Sequence, residues 1–298
     1  MMPARETIMG DQMLAANDLL QMPAKTIPVD WPARDTIIYN LGIGFGPAAI
    51  EDPSQLRFVL EDRLAGFPTM TTVMGMSLGI FDRKYGIDYA KVLHGEEWIT
   101  LHRPLPASGA FEVATGVEKI WDRGQQKGAI LQTCKTITVK GEAEPFAETR
   151  TVLMLRGNGG FGGSAEGAPS VNEPPTRNPD ARITLETRPE QALLYRLSGD
   201  ANPLHADPEV ARKAGFPGPI LHGMATYGIV ARAIVDGACD GDETKLAHYG
   251  LRFSSPVFPG ETLRTDIWAL GDGNFAFEVT ATEREVVVAK GGRASVRD

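Results

Sequence analysis

Only two cysteines, Cys134 and Cys239, occur in 298 residues. That is too few for a disulfide framework and fits a reducing compartment. No uncharged run approaches the roughly 18 residues that a membrane span needs, so no membrane partner is expected. Positive charge is also short: 30 Lys and Arg stand against 38 Asp and Glu, a formal charge of −8. A nucleic-acid partner would need a basic face to neutralise phosphates, and none is expected. A small anionic ligand stays open, since a few local cations suffice for it. MMPARETIMGDQM at the N-terminus carries Glu6 and no apolar core of a secretory signal, and the C-terminal SVRD is no peroxisomal address. The expectation is a cytoplasmic protein. Histidine is scarce as well, with five in the chain.

What the chain does have is a plan used twice. RPLPASGAFEVATGVEKI, GAILQTCKTITVKG and TRTVLMLRG in the first half correspond to SPVFPGETLRTDIWAL, NFAFEVTATERE and VVVAKGGRASV in the second. Each set opens on prolines and a glycine, then alternates apolar and polar residues at the period of half-buried antiparallel strands. Upstream of each lies one helix-like apolar segment, FPTMTTVMGMSLGIF near 67–81 and HGMATYGIVARAIVDG near 222–237. A sheet needs its apolar face covered, and one helix can do that. The fold class is therefore α+β, duplicated. Between the halves runs RGNGGFGGSAEGAPSVNEPPTRNPDAR, rich in Gly and Pro and poor in anything to bury. The expected organisation is an extension over 1–28, loosely ordered, then a domain over 29–156, a linker over 157–181 and a domain over 182–298.

The chemistry concentrates at YRLSGDANPLHADP, residues 195–208. Thr187 and Glu190 have capping-box spacing and Pro189 suits a first turn, so PEQALLYRL should form a helix that stops at Ser198-Gly199. Pro203 forbids a regular helix beyond it. A turn after Gly199 can fold Asp200 and His205 toward one point, with the Asn202 amide as a polar brace. A carboxylate and a neutral imidazole sharing one small volume can hold a water and move its proton. Two other readings remain open here. An Asp-x-Asn-Pro turn can be purely structural, its carboxylate capping backbone amides. A metal site could draw on Asp200, His205, Asp207 and His222, although the spacing matches no structural zinc pattern, and no metal is expected. Downstream, AGFPGPILHGMATYGIVARAIV opens an apolar helix at His222-Gly223. An amide at Gly223, open to close approach and backed by the helix dipole, suits a carbonyl oxygen gaining negative charge. An acid–base pair followed by an oxyanion donor points to adding or removing water beside an activated carbonyl such as a thioester.

These stretches, YRLSGDANPLHADP with AGFPGPILHG, resemble the hydratase motif of the MaoC-like dehydratases, in particular the type 2, (R)-specific enoyl-CoA hydratases. RDTIIYNLGIGFG, FVLEDRLAGFPTM and AKVLHGEEW resemble that family's N-terminal domain, and LRFSSPVFPGETL its C-terminal domain. The resemblance implies two tandem hot-dog domains, each a sheet wrapped on a central helix, in a homodimer. It implies reversible syn hydration of trans-2-enoyl-CoA to (R)-3-hydroxyacyl-CoA in lipid metabolism. The CoA thioester is the substrate and no cofactor is needed. Asp200 and His205 would be the acid–base pair, Asn202 would orient them, and the Gly223 amide would form the oxyanion hole. His94, Gly95, Arg123 and Phe253 would lie near the CoA or the substrate, as would Glu61. The family often has Tyr before that Glu, where this chain has Leu60. His102, His222 and His248 carry no functional expectation.

The first half lacks its own Asp-x-Asn-x-x-His arrangement: IIYNLGIGFGPAAI places glycines where the acids would stand. One active site per chain follows, with the degenerate half expected to open room for a bulky or long acyl tail. Two rivals stand beside the hydratase reading. One is a hot-dog acyl-CoA thioesterase, which attacks the carbonyl itself and needs no Asp/His pair. The other is a non-catalytic acyl-CoA-binding protein that keeps only the fold.

Overall fold

Alternation is plain in the strand TLRTDIW, where Leu263, Thr265 and Ile267 are buried and Arg264 and Asp266 face outward. In a computed structural model that describes residues 13–47, 51–75 and 80–297, ten such strands form. They are β1 (Lys25–Trp31), β2 (Val92–Leu101), β3 (Gly109–Asp122), β4 (Ala129–Val139), β5 (Ala147–Leu155), β6 (Ala181–Glu186), β7 (Leu246–Phe253), β8 (Thr262–Gly271), β9 (Asn274–Ala281) and β10 (Val286–Val296). All join one sheet in the order β1-β3-β4-β5-β2-β7-β10-β9-β8-β6. Neighbours run antiparallel. From its edge inward the first half reads β1-β3-β4-β5-β2; the second repeats it strand for strand as β6-β8-β9-β10-β7. The two halves meet at β2 and β7, from Glu96 opposite Arg252 to Thr100 opposite His248. Buried Glu96 accepts from the Arg252 guanidinium across that seam and from the indole of Trp98.

The helices α1 (Ala16–Leu20), α2 (Ala33–Gly42), α3 (Gln191–Tyr195), α4 (Pro208–Lys213) and α5 (Gly223–Ala238) lie around this sheet. Among the described residues only α5 is the long central helix of a hot-dog domain. Every residue from Ala225 to Val235 is buried, as expected of a helix that is apolar all round. It packs on β6, β7 and β8. Its far side meets the first half: a Cβ on Gly228 would stand 2.4 Å from Ile43, so only glycine lets the two halves come this close. No described helix is long and apolar enough to cross a membrane.

The first half departs from expectation at its own helix. In place of a helix over 67–81 there is a 3-10 turn at Pro68–Thr72, and the chain reaches Gly75 in the left-handed region; residues 76–79 lie outside the described part. Thr71 and Thr72 turn their hydroxyls back to the carbonyls of Pro68 and Thr69, a local alternative to helical bonding. Lys135 reaches in from β4 and donates to the carbonyls of Thr72 and Met74, taking the acceptors that a continuing helix would have used. Burial presses this ammonium down to about 8, with the Glu97 charge pulling the other way. Phe45 stacks on Phe58 at 4.1 Å with Phe67 edge-on, and the cavities beside them measure about 160 and about 70 Å³.

The N-terminal extension is also more ordered than expected from residue 13 onward. Leu14 and Leu19 of the α1 region bury against Tyr85, Leu131 and Leu155, and β1 pairs with β3 from Lys25, so residues 25–28 belong to the sheet. The Gly/Pro-rich stretch between the halves is pinned rather than loose. Asp122 accepts from the amides of Gly124, Gly160, Gly162 and Gly163. Burial raises its pKa, and these four donors outweigh that and hold the carboxyl below its usual range. Further along, Trp121 and Arg252 hold the carbonyls of Glu166 and Pro169.

Candidate active site

Helix α3 runs on as a 3-10 turn over Arg196–Ser198 and ends at Gly199, whose φ of 119° is open to glycine. Thr187 does not cap that helix. Its hydroxyl spans to the β8 side, donating to Glu261 and accepting from the Gly260 amide. Beyond Gly199 each polar side chain organises the next few residues. Asp200 Oδ1 accepts from the Asn202 amide, and Asn202 Oδ1 accepts from the Leu204 amide. Asn202 so caps a 3-10 turn, Pro203–His205, with Pro203 at its first position. Asp207 caps α4 through the amides of Glu209 and Val210. The amide of Asn202 therefore works on the backbone that carries His205, and its side chain does not brace the two functional groups directly.

The ring of His205 is buried, and its Nδ1 lies 2.8 Å from the carbonyl of Ile220. A carbonyl can only accept, so Nδ1 carries the hydrogen and Nε2 keeps the lone pair. Asp200, His205 and His222 each present a ligand-type atom, all within 4.8 Å of one another. The carboxylate and the imidazole thus converge, and Asp200 stays half-buried at the solvent side. His222, for which the sequence raised no expectation, completes the cluster: its ring stacks on His205 with centroids 3.8 Å apart and planes 27° apart. Stacked imidazoles hold their in-plane lone pairs side by side instead of aiming them at one point, which suits no tetrahedral metal site.

Gly223 is the first residue of α5, and its amide is one of the unpaired donors at that helix end. The nearest atoms a Cβ there would meet belong to the ring of Phe253, at an ordinary 3.6 Å. Neither backbone angle nor packing demands a glycine here, unlike Gly228, so what the missing side chain preserves is access to the amide. Phe253 lies between that glycine and His94, whose ring it meets edge-on at 5.2 Å. His94 Nε2 in turn pairs with buried Glu97 at 3.0 Å, and Thr151 donates to the same oxygen. His94 and Phe253 thus adjoin the helix start from the first half and the second.

Gly95 sits at a bulge of β2, where a Cβ would come within 2.9 Å of Met154 and 3.1 Å of the Val152 carbonyl, so packing explains it. Arg123 lies in the β3–β4 turn, and the pairings Asp122–Ala129–Leu155–Val92 put it three strands from β2. At sheet spacing that is roughly 14 Å. Glu61 is exposed on a 3-10 turn next to Arg57, which binds Gly241 and Glu243 beyond the C-terminal end of α5. The helix is 16 residues long, about 24 Å from that end to Gly223. The short stretch between Glu61 and Pro68 keeps Glu61 at the wrong end of the helix.

Residues 30–157 match the MFE-2 hydratase 2 N-terminal domain, and residues 170–291 match the MaoC like domain. The chain is 40% identical over 268 residues to 3-hydroxyacyl-thioester dehydratase Y of Mycobacterium tuberculosis, spanning 90% of each. The chain belongs to the MaoC-like dehydratase family. This MaoC-like chain is also 38% identical to the peroxisomal enoyl-CoA hydratase 2 of Arabidopsis thaliana, over 80% of the chain and 82% of that protein. It superposes on the MaoC-like dehydratase of Phytophthora capsici with a TM-score of 0.82 at 32% identity, covering 95% and 98% of the two chains. The double hot-dog architecture and the hydro-lyase class of this MaoC-like enzyme follow.

Proposed function

We propose that the chain hydrates trans-2-enoyl-CoA to (R)-3-hydroxyacyl-CoA, reversibly, with Asp200 and His205 as its acid–base pair. The observation that carries this reading is the convergence of the Asp200 carboxylate and the His205 ring at the N-terminal end of α5. With its hydrogen fixed on Nδ1, His205 has a lone pair on Nε2 to take a proton from water. The water oxygen bonds C3 as the C2–C3 π pair moves toward the thioester carbonyl. The resulting oxyanion would rest on the Gly223 amide. Asp200 is the group through which a proton reaches C2. A proton passing from His205 to Asp200 resets the pair, which titrates as one unit. Since both side chains rise from one short loop, water and proton would reach the same face of the double bond, giving syn addition. Relatives of this chain in Arabidopsis thaliana and Mycobacterium tuberculosis are enoyl-CoA hydratases, which supports an enoyl-CoA substrate here.

The test follows the enoyl-thioester absorbance and free thiol together, with crotonyl-CoA and a series of longer and branched enoyl-CoAs, and adds chiral analysis of the product. Loss of the enoyl band without thiol release, and an (R) product, is expected. Thiol release would instead mean a thioesterase, and an (S) product would overturn the stereochemical assignment.

A further inference from the structure

His222 has no part in the proton transfers proposed above, yet it touches both groups that do. Its ring is 1% exposed, the most enclosed imidazole of the cluster. One face lies on His205 at 3.8 Å, and the ring also meets Tyr195 at 5.0 Å. Its Nε2 lies 3.1 Å from the backbone carbonyl of Asp200. Since that carbonyl can only accept, Nε2 holds the hydrogen and Nδ1 is left with a lone pair. Nδ1 is buried and meets no donor. The residue that follows is Gly223, so the same side chain borders the oxyanion position as well.

We propose that His222 is a positioning residue for hydration. It acts as a permanently neutral imidazole that fixes the plane of His205 and the backbone of Asp200, and it leaves His205 as the one ring of the stacked pair that takes a proton. This rests on Asp200 and His205 being the acid–base pair. Two cationic rings at this separation would repel, and a proton on Nδ1 would be buried with no acceptor. A neutral ring does the opposite: it offers a π face to the imidazolium that His205 becomes when water gives up its proton.

The groups facing His222 agree on which ring stays neutral. Burial presses its pKa down to about 4, and the His205 charge adds to the effect. The Asp200 carbonyl and carboxylate pull upward and Arg196 pulls downward, both weaker. Tyr195, on the remaining side, is itself held neutral by burial.

Ring-labelled histidine NMR on the whole chain is the direct experiment. His205 should carry its hydrogen on Nδ1 when neutral. His222 should show an Nε2 hydrogen and stay neutral down to about pH 4. A His222 ring that takes up a proton near the ordinary histidine value, or the opposite tautomer there, overturns the proposal. His222→Phe keeps a flat ring and loses the N–H. With the melting curve as a check on folding, kcat should drop about tenfold to hundredfold, the scale of a slight misplacement of reacting groups. KM should stay within about twofold of wild type if only the chemical step is misaligned. The ring signals of His205 should shift in that variant, since it loses its stacking partner. A folded variant with unchanged kcat and unchanged His205 ring signals sinks the idea. Should the variant not fold, the wild-type titration decides. Should the wild type hydrate no enoyl thioester, the hydration reading fails while the ring titration still reports on its own.

Discussion

The two halves of this chain share a strand order and differ in what lies under the strands. The second half has a sixteen-residue helix, buried from Ala225 to Val235, whose first turn adjoins the acid–base loop. The first has five residues of 3-10 turn at the matching place, stopped by threonine hydroxyls and by a lysine from the sheet. Duplication therefore preserved the sheet, which each half needs to bury its apolar face, and released the helix in one copy. A site built on a helix N-terminus can exist only where that helix survived. The first half contributes to it from outside, through His94 and the packing of Ile43 on Gly228.

This asymmetry can be broken most sharply at the helix-bearing half. Asp200→Asn and His205→Gln should each lower kcat by a factor on the order of 10² to 10⁴, with urea unfolding curves close to wild type. Near-normal turnover by either variant would remove that residue from the proposed pair. The contact between the halves is the next target. Gly228→Val must displace fully buried Ile43, so a loss of about 1–3 kcal/mol in unfolding free energy is expected, as for other overpacked cores.

The substitute for the missing helix is tested at Lys135. Lys135→Met leaves the Thr72 and Met74 carbonyls without their donor and should cost about 1–3 kcal/mol at neutral pH. Its pH dependence has a definite sign. The folded-state pKa of about 8 lies below the ordinary 10.5, so between these values the unfolded chain binds more protons. Wild-type stability relative to Lys135→Met should therefore rise with pH across that window, and a falling difference in urea melts would contradict the assignment. Burial of His222 sets a second window: with its pKa depressed from 6.5 to about 4, this group's contribution is lost as pH falls between those values. The smallest effect belongs to Glu61→Gln, at the far end of α5, where kcat/KM should stay within about twofold because an exposed residue this remote stabilises no transition state.

Much of this was legible in the residues. Period-two alternation marked the strands of both halves, since a one-sided sheet must alternate. The Gly199 stop and the Asp200–Asn202–Pro203 turn were also readable, because each is made by bonds between residues two or three apart. The helix expected near 67–81 failed because its apolar run said nothing of Lys135, sixty residues on, which takes its carbonyls. Glu61 failed for a related reason: family likeness fixes a position in the chain, while the length of the loop decides which end of α5 it reaches. His222 was named only as a ligand-type residue, although it directly precedes the glycine singled out at the helix start; its stacking on His205 was not readable from that adjacency.

The amino-acid order alone determined a duplicated α+β chain with one charged, proline-locked loop, because alternation, turns and caps are set by near neighbours. Tertiary structure alone decided the tautomer of His205, the stacking of His222 upon it and the loss of one central helix. Each of those depends on groups distant in the chain meeting within a few ångströms, and no local pattern encodes such a meeting.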